Sequence, residues 1–129
     1  MEELKFLEEQ NVSSRLIKKI LEFREMYPVP DEAAGRITKP AIPFYGKEIL
    51  EMAIAGLLQG QNLLLAGPKA TGKNILAENL AYIFNRPTYN VSFHVNTNSG
   101  DLIGTDTFED DQVKLRKGSI YRCAECGGF

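Results

Sequence analysis

The sequence predicts an α/β fold built around an open sheet. Three consecutive features indicate it: a continuous apolar run at residues 62–66, a glycine-rich turn at 67–72 and a helical pattern over 73–85. A short continuous apolar run is typical of a strand covered on both faces of a parallel sheet. Residues 88–95 then alternate apolar and polar side chains, which predicts an edge strand. Strand, turn, helix and strand together make a βαβ unit.

Length and composition restrict the classes of protein that this chain can represent. It has 129 residues, of which 43% are hydrophobic and 25% charged, and its formal net charge is −2. One domain is the upper limit, and a general attraction to nucleic acid or to anionic membranes is excluded. The N-terminus has no signal-peptide pattern, and no apolar run approaches the roughly 20 residues that span a bilayer. We therefore predict a cytoplasmic protein without a membrane partner, whose cysteines stay thiols.

The residues ahead of the apolar run predict helices and a proline-rich connection. Residues 2–9 suit a short helix, and Ser13 or Ser14 can cap a second one that ends before Pro28. Four of the six prolines fall between residues 28 and 43, which is typical of a linker. We predict three segments. They are a helical appendage (1–30), a proline-rich linker (31–45) and the α/β core (46–129).

Further elements are predicted on both sides of the βαβ unit. Residues 46–58 suit a helix that is apolar around most of its circumference and therefore buried, with Gly60 closing its end. In the tail, residues 101–104 end a short helix, and 105–108 pair with 113–116 as a hairpin. Residues 119–126 predict the last helix.

The glycine-rich turn fits the pattern G-x-x-x-x-G-K. Glycines let the backbone curl until several N–H groups face one centre, the following helix directs its positive end there, and Lys73 adds a charge for β- and γ-phosphates. The three fixed positions alone would occur in roughly 6% of shuffled chains, so the flanking strand and helix patterns strengthen the assignment. The candidate nucleotide-binding residues are Gly67, Pro68, Lys69, Ala70, Thr71, Gly72, Lys73 and Asn74. Within this set, Lys69 suits a solvated surface position better than a role as a second phosphate ligand.

The position after the motif lysine departs from the usual pattern. Ser or Thr is expected there as a Mg²⁺ ligand, and this chain has Asn74. An amide oxygen is a hard ligand with a different reach, so we predict a weakened Mg²⁺ site at Asn74. No acidic residue after the loop follows four apolar residues, so the strand that would hold a catalytic carboxylate is missing. The catalytic residues are therefore unknown.

Four other groups each have two interpretations, and the simpler one is favoured in each case. Residues 109–111 suit a solvated acidic turn better than a metal cluster. Cys123 and Cys126 suit two thiols on a helix better than half of a zinc site, because four ligands are needed. His94 suits an exposed position better than a proton-transfer role. A basic cluster, which suits a solvated face better than a contact with a polymer, consists of Lys114, Arg116, Lys117 and Arg122.

Residues 44–129 resemble the front half of an AAA+ ATPase module, in the branch of MoxR, McrB and midasin-like proteins. Residues 45–48, Tyr-Gly-Lys-Glu, occupy the place of the hydrophobic-Gly-Gln-Glu box near the adenine pocket, and the glycine-rich loop that of Walker A. Residues 101–104, the predicted hairpin and residues 118–124 resemble the helix-2 insert, whose hairpin commonly projects toward a central pore.

The resemblance implies a P-loop NTPase fold of the AAA+ type, a three-layer α/β/α sandwich truncated here before the Walker B strand and preceded by the helical appendage. In that sheet the third and fourth strands lie between the first two. Residues 62–66 would then have an unpaired backbone and uncovered apolar faces, so we predict a chain that is marginally stable or self-associates.

The same resemblance implies the ligands and partners. They are ATP rather than GTP, Mg²⁺, ring neighbours that usually form a hexamer, and a protein or nucleic-acid target. The leading hypothesis is an AAA+ fragment that binds ATP and alone hydrolyses little. An alternative is a degenerate module that serves as a structural element in protein assembly, favoured by Asn74. A small nucleotide kinase is a third hypothesis, although arginine-rich substrate and lid segments are not seen after Arg86.

Overall fold

Helices carry most of the fold in this computed structural model, which describes residues 2–129. The helices are α1 (Lys5–Glu9), α2 (Ser14–Met26), α3 (Lys47–Leu58), α4 (Lys73–Ile83), α5 (Ser99–Leu102) and α6 (Ser119–Cys126). A 3-10 helix, Glu2–Leu4, precedes α1. A second 3-10 helix, Asp31–Arg36, lies within the proline-rich segment. Strands β1 (Gly104–Glu109) and β2 (Gln112–Lys117) form an antiparallel hairpin.

The first four helices share one hydrophobic core. Its fully buried side chains include Leu7, Ile20, Leu50, Ile54 and Ile83. The ring of Phe84, just after α4, packs edge-on against Phe23 of α2 at 5.1 Å between ring centroids. The helix that follows the glycine-rich loop is therefore held in place by side chains from the N-terminal helices. The division of the chain into three segments stays a prediction.

The predicted helices form close to their predicted bounds. Helix α4 begins at Lys73 as predicted and ends two residues early, and α6 has the predicted bounds. Gly60, with φ of +74°, lies just past α3, and its N–H donates to the Leu57 carbonyl. The prediction that this helix is buried on most sides is wrong, since Met52 is 76% exposed and Ile49 is also exposed. The N-terminal helices cover only one side of α3.

The two predicted strands of the βαβ unit do not form. Residues 62–66 and 88–95 belong to no sheet in the described part of the chain, whose two-stranded sheet is the β1–β2 hairpin. Leu64 is 92% exposed, so the prediction of a strand covered on both faces is wrong. An interior strand needs hydrogen-bonding neighbours, and a groove separates these two segments instead. The uncovered apolar face that the resemblance implied for residues 62–66 is present.

The predicted hairpin is confirmed, and its turn explains why it forms locally. The strands pair Thr105 with Arg116 and Phe108 with Val113. Between them Asp110 and Asp111 have φ of 51° and 60°, the left-handed pair that a tight hairpin turn requires. None of the helices among residues 2–129 has both the length and the apolarity to cross a membrane.

Candidate nucleotide-binding site

The backbone of the glycine-rich loop alternates between left-handed and other conformations. Ala70 and Gly72 have φ of 59° and 84°, in the left-handed region, and are separated by one residue with negative φ. Alternation of left- and right-handed residues points successive N–H groups toward a common centre, which makes an anion-binding concavity. Within residues 2–129, no acceptor receives a hydrogen bond from the backbone N–H groups of residues 69–74. The loop therefore presents a row of free donors.

The ammonium of Lys73 folds back into this loop. Its Nζ donates to the Gly67 carbonyl at 2.9 Å, to Thr71 Oγ1 at 3.2 Å and to the Pro68 carbonyl. The Thr71 hydroxyl also donates to the Pro68 carbonyl, at 2.9 Å. A Cβ built on Gly67 would lie 4.0 Å from Nζ, so a side chain there would face the lysine. The positive charge and the free amides thus belong to the same turn.

Helix α4 fixes the direction in which the loop points. Leu76, Leu80 and Ile83 bury one face of the helix in the core. At its far end the guanidinium of Arg24 donates to the carbonyls of Ile83, at 2.8 Å, and Tyr82, at 3.0 Å. A cation thus interacts with the negative end of the helix dipole, while the positive end meets the loop.

Asn74, at the second position of α4, lies on the flank of the loop that borders the groove. Its side chain is exposed and makes no hydrogen bond to any residue of the described chain, so its amide oxygen is free. No three His, Cys, Asp or Glu residues among residues 2–129 are grouped to hold a metal ion. A Mg²⁺ ion at Asn74 would therefore draw its remaining oxygen ligands from phosphates and water.

The groove has a volume of about 800 Å³ and separates residues 61–65 from residues 88–92. Leu80 and Phe129 are among its apolar lining residues. On one side the Phe129 N–H donates to the Pro87 carbonyl at 2.8 Å, and the Tyr89 N–H donates to the Phe129 carbonyl at 2.9 Å. This is the bonding pattern of a parallel strand pair. Residues 87–89 therefore pair with Phe129 at one edge of the groove.

The acidic turn, His94 and the basic cluster make local contacts. Asp110 lies 3.6 Å from the Lys114 ammonium across the hairpin turn. His94 is exposed, and its Nδ1 accepts a hydrogen bond from the Asn96 N–H at 3.2 Å. Lys117 donates to the Glu125 carboxylate at 2.8 Å, which raises the pKa of the lysine.

The two thiols of α6 are half-buried and free. Burial raises the pKa of Cys123, and the neighbouring Cys126 adds to the shift. Burial also raises the pKa of the Tyr89 phenol, with a smaller contribution from its hydrogen bond to Cys126, while Arg36 over its ring lowers it. The pKa values of the Cys123 thiol and the Tyr89 phenol thus both lie above their ordinary range.

Three buried or half-buried polar side chains that support the site were not predicted. Arg86, 5% exposed, donates to the carbonyls of Cys126, Gly127 and Tyr27 at 2.6 to 2.7 Å. Asn79, 2% exposed, is a polar residue on the apolar face of α4. A polar residue at an apolar position of the helical pattern could have identified it from the sequence. Gln10 gave none, because its bonding partners lie 34 to 36 residues further along the chain.

Comparison with known proteins decides the family. A sequence profile of the AAA domain (dynein-related subfamily) matches residues 62–129, more than half of the chain. The chain belongs to the AAA domain family. This membership confirms the predicted AAA+ module and its P-loop NTPase fold, of which this AAA chain forms a partial α/β fragment. Membership of this family indicates nucleotide binding by an AAA+ module.

Two curated relatives of this AAA chain are bacterial proteins. The chain is 31% identical over 116 residues to the uncharacterized protein YojN of Bacillus subtilis, covering 87% of the chain and 38% of that protein. It is 33% identical over 64 residues to the uncharacterized protein SERP0979 of Staphylococcus epidermidis, covering 50% of the chain and 24% of that protein. The AAA chain thus spans less than two-fifths of the length of either relative. No solved structure matches it.

Proposed function

We propose that the AAA chain binds ATP through residues 67–74, with Mg²⁺ held weakly at Asn74. The observation that carries this proposal is the row of free N–H groups at residues 69–74, in the same turn that holds the Lys73 ammonium at the start of α4. Hydrogen bonds from such donors to a charged acceptor contribute about 1.5–3 kcal/mol each. A polyphosphate is the ligand whose charge and oxygen count suit this set of donors.

Binding would rearrange the lysine. In the structure its three bonds go to Gly67, Pro68 and Thr71. In the proposed complex the ammonium turns from these neutral acceptors to the β- and γ-phosphate oxygens, where a full opposite charge strengthens the bond. The backbone amides need no such movement, because they are already free.

Hydrolysis, in this proposal, needs groups that residues 2–129 do not bring to the loop. A metal-holding carboxylate from a neighbouring strand is required for phosphoryl transfer. The groove beside Asn74 is where such a strand would lie, next to the parallel pair begun by Phe129. We propose that a longer polypeptide fills the groove and supplies hydrolysis in a cytoplasmic ring, in the branch of MoxR, McrB and midasin-like proteins. A protein or nucleic-acid target belongs to that longer form.

Calorimetric titration tests the binding proposal. Wild-type chain is titrated with ATP in the presence of Mg²⁺, and Lys73→Ala is expected to bind at least about tenfold more weakly, since it loses one charge-assisted contact. Lys18→Ala is the matched control, because this exposed lysine of α2 makes no ion pair in the described chain. Equal affinity of wild type and Lys73→Ala would contradict the proposal.

A second candidate function is a structural element that no longer uses nucleotide. Asn74 in the metal-ligand position is the observation that favours it. Under this candidate the wild-type chain shows neither heat of binding nor a raised melting temperature at millimolar ATP. A measured ATP dissociation constant in the micromolar range would exclude it.

A further inference from the structure

The glycine-rich loop is bordered on one side by residues 42–46, here called the strap. A Cβ built on Gly72 would lie 3.8 Å from Cε2 of Phe44, so the strap touches the loop where it enters α4. Asn74, two residues after Gly72, lines the groove, whereas no residue of the strap does. In the proposed complex the terminal phosphates lie with the metal ligand Asn74, and we place the nucleoside end toward the strap.

Two carboxamide side chains form hydrogen bonds with the backbone of the strap. Asn79 of α4 donates to the Ile42 carbonyl at 2.9 Å and accepts from the Phe44 N–H at 3.1 Å. Gln10, which follows α1, donates to the Phe44 carbonyl at 3.0 Å and accepts from the Gly46 N–H at 2.9 Å. The polar backbone groups on either side of Tyr45 are thereby occupied.

Tyr45 itself is left free between the two peptide groups that Gln10 binds. Its backbone N–H and carbonyl make no hydrogen bond to residues 2–129, and its side chain is 66% exposed. The Gln10 bonds fix the two peptide groups that flank this residue. Gln10 is itself held by its bond to the Phe6 carbonyl, at 3.2 Å, and by the burial of Leu7. The position of the strap next to the loop is therefore set from the N-terminal helix.

We propose that Gln10 is a positioning residue of the nucleotide site, which holds the strap where the nucleoside end of ATP meets it. This inference rests on the proposed function. Under this inference α1 contributes to the nucleotide site, because the Gln10 carboxamide connects α1 to the backbone of the strap beside the loop. Loss of the carboxamide would let the strap shift without altering the amides that face the phosphates.

The test compares two ligands, ATP and inorganic tripolyphosphate, each with Mg²⁺ in calorimetric titrations. The phosphate loop recognises both, whereas only ATP has a nucleoside to meet the strap. Gln10→Ala is expected to weaken ATP binding about tenfold and to change tripolyphosphate binding less than twofold. Gln112→Ala, at an exposed hairpin position without a side-chain hydrogen bond in the described chain, is the matched control and is expected to leave both affinities unchanged.

A second variant keeps the test decisive if Gln10→Ala unfolds. Gln10→Glu retains an acceptor for the Gly46 N–H and loses the donor to the Phe44 carbonyl, so it is expected to weaken ATP binding by a smaller factor. Equal loss of both ligands, or no loss of ATP in a folded variant, would overturn the inference and leave the phosphate site standing. Failure of the wild type to bind either ligand would instead remove the proposed function and the inference with it.

Discussion

The backbone of Phe129 pairs with that of Tyr89, whose N–H donates to the Phe129 carbonyl at 2.9 Å. The Phe129 N–H in turn donates to the Pro87 carbonyl at 2.8 Å, so the two chain segments run parallel at this point. Across the groove, residues 62–66 have no such partner among residues 2–129. Strand-like pairing is therefore present on the side of the groove formed by residues 87–89 and absent on the side formed by residues 62–66. The unpaired side is expected to affect the stability and association of the chain.

The exposed segment 62–66 is expected to drive self-association. Leu64 is exposed, and the backbone around it lacks strand partners, which makes an open edge for pairing between molecules. Wild-type chain should show a concentration-dependent increase in sedimentation coefficient, and Leu64→Lys should shift it toward monomer. Met52→Lys, at another exposed apolar residue, on α3, is the control and should not change it. A monomeric wild type with a reversible, cooperative melt of ordinary midpoint would contradict this expectation.

Replacing Asn74 by Thr is expected to strengthen ATP binding only when Mg²⁺ is present. A hydroxyl at this position has the reach of the usual metal ligand, whereas the amide of Asn74 is longer. Titrations with ATP in Mg²⁺ and in EDTA separate the two contributions, with a gain of about three- to tenfold expected in Mg²⁺ alone. The same gain in EDTA would show that the substitution acts on the loop and not on a metal ion.

Arg86→Met is expected to lower the free energy of unfolding by about 3 kcal/mol, since three carbonyls lose the donor that the buried Arg86 guanidinium supplies. These carbonyls belong to Tyr27, Cys126 and Gly127, so the change loosens the contact between the end of α2 and the end of α6. Urea unfolding followed by circular dichroism measures it. Arg122→Met, at an exposed position of α6, should change the same quantity by less than about 0.5 kcal/mol. A loss under about 1 kcal/mol for Arg86→Met would show that water replaces the guanidinium.

The unfolding free energy is expected to fall as the pH rises above about 8.5, the ordinary range for a thiol. Burial raises the pKa of Cys123 in the folded chain, so the unfolded chain releases this proton first and gains stability from alkaline conditions. The contribution is complete below the unfolded pKa and is lost as the pH approaches the folded one. Urea unfolding of wild type and Cys123→Ala at pH 7.5 and 9.5, in reductant, measures the difference. An equal fall in the unfolding free energy of wild type and Cys123→Ala would show that groups other than Cys123 cause the pH dependence.

Elements with short-range determinants could be predicted from the sequence. Helix α6 follows from its periodicity, the hairpin from the acidic turn at residues 109–111, and the start of α4 from the glycine pattern before Lys73. The strands at 62–66 and 88–95 could not be decided in the same way. Their side-chain patterns are those of strands, but a strand exists only when a neighbour accepts its hydrogen bonds.

The sequence by itself determined the glycine-rich loop and the start of α4, because glycines, a lysine and a helical pattern all lie within a few residues of one another. Only the tertiary structure decided what holds that loop in place. Gln10 and Asn79 meet the strap across more than 30 residues of chain, and Arg86 joins three distant carbonyls. Such contacts depend on how the helices pack around the shared core, which local residue preferences do not specify.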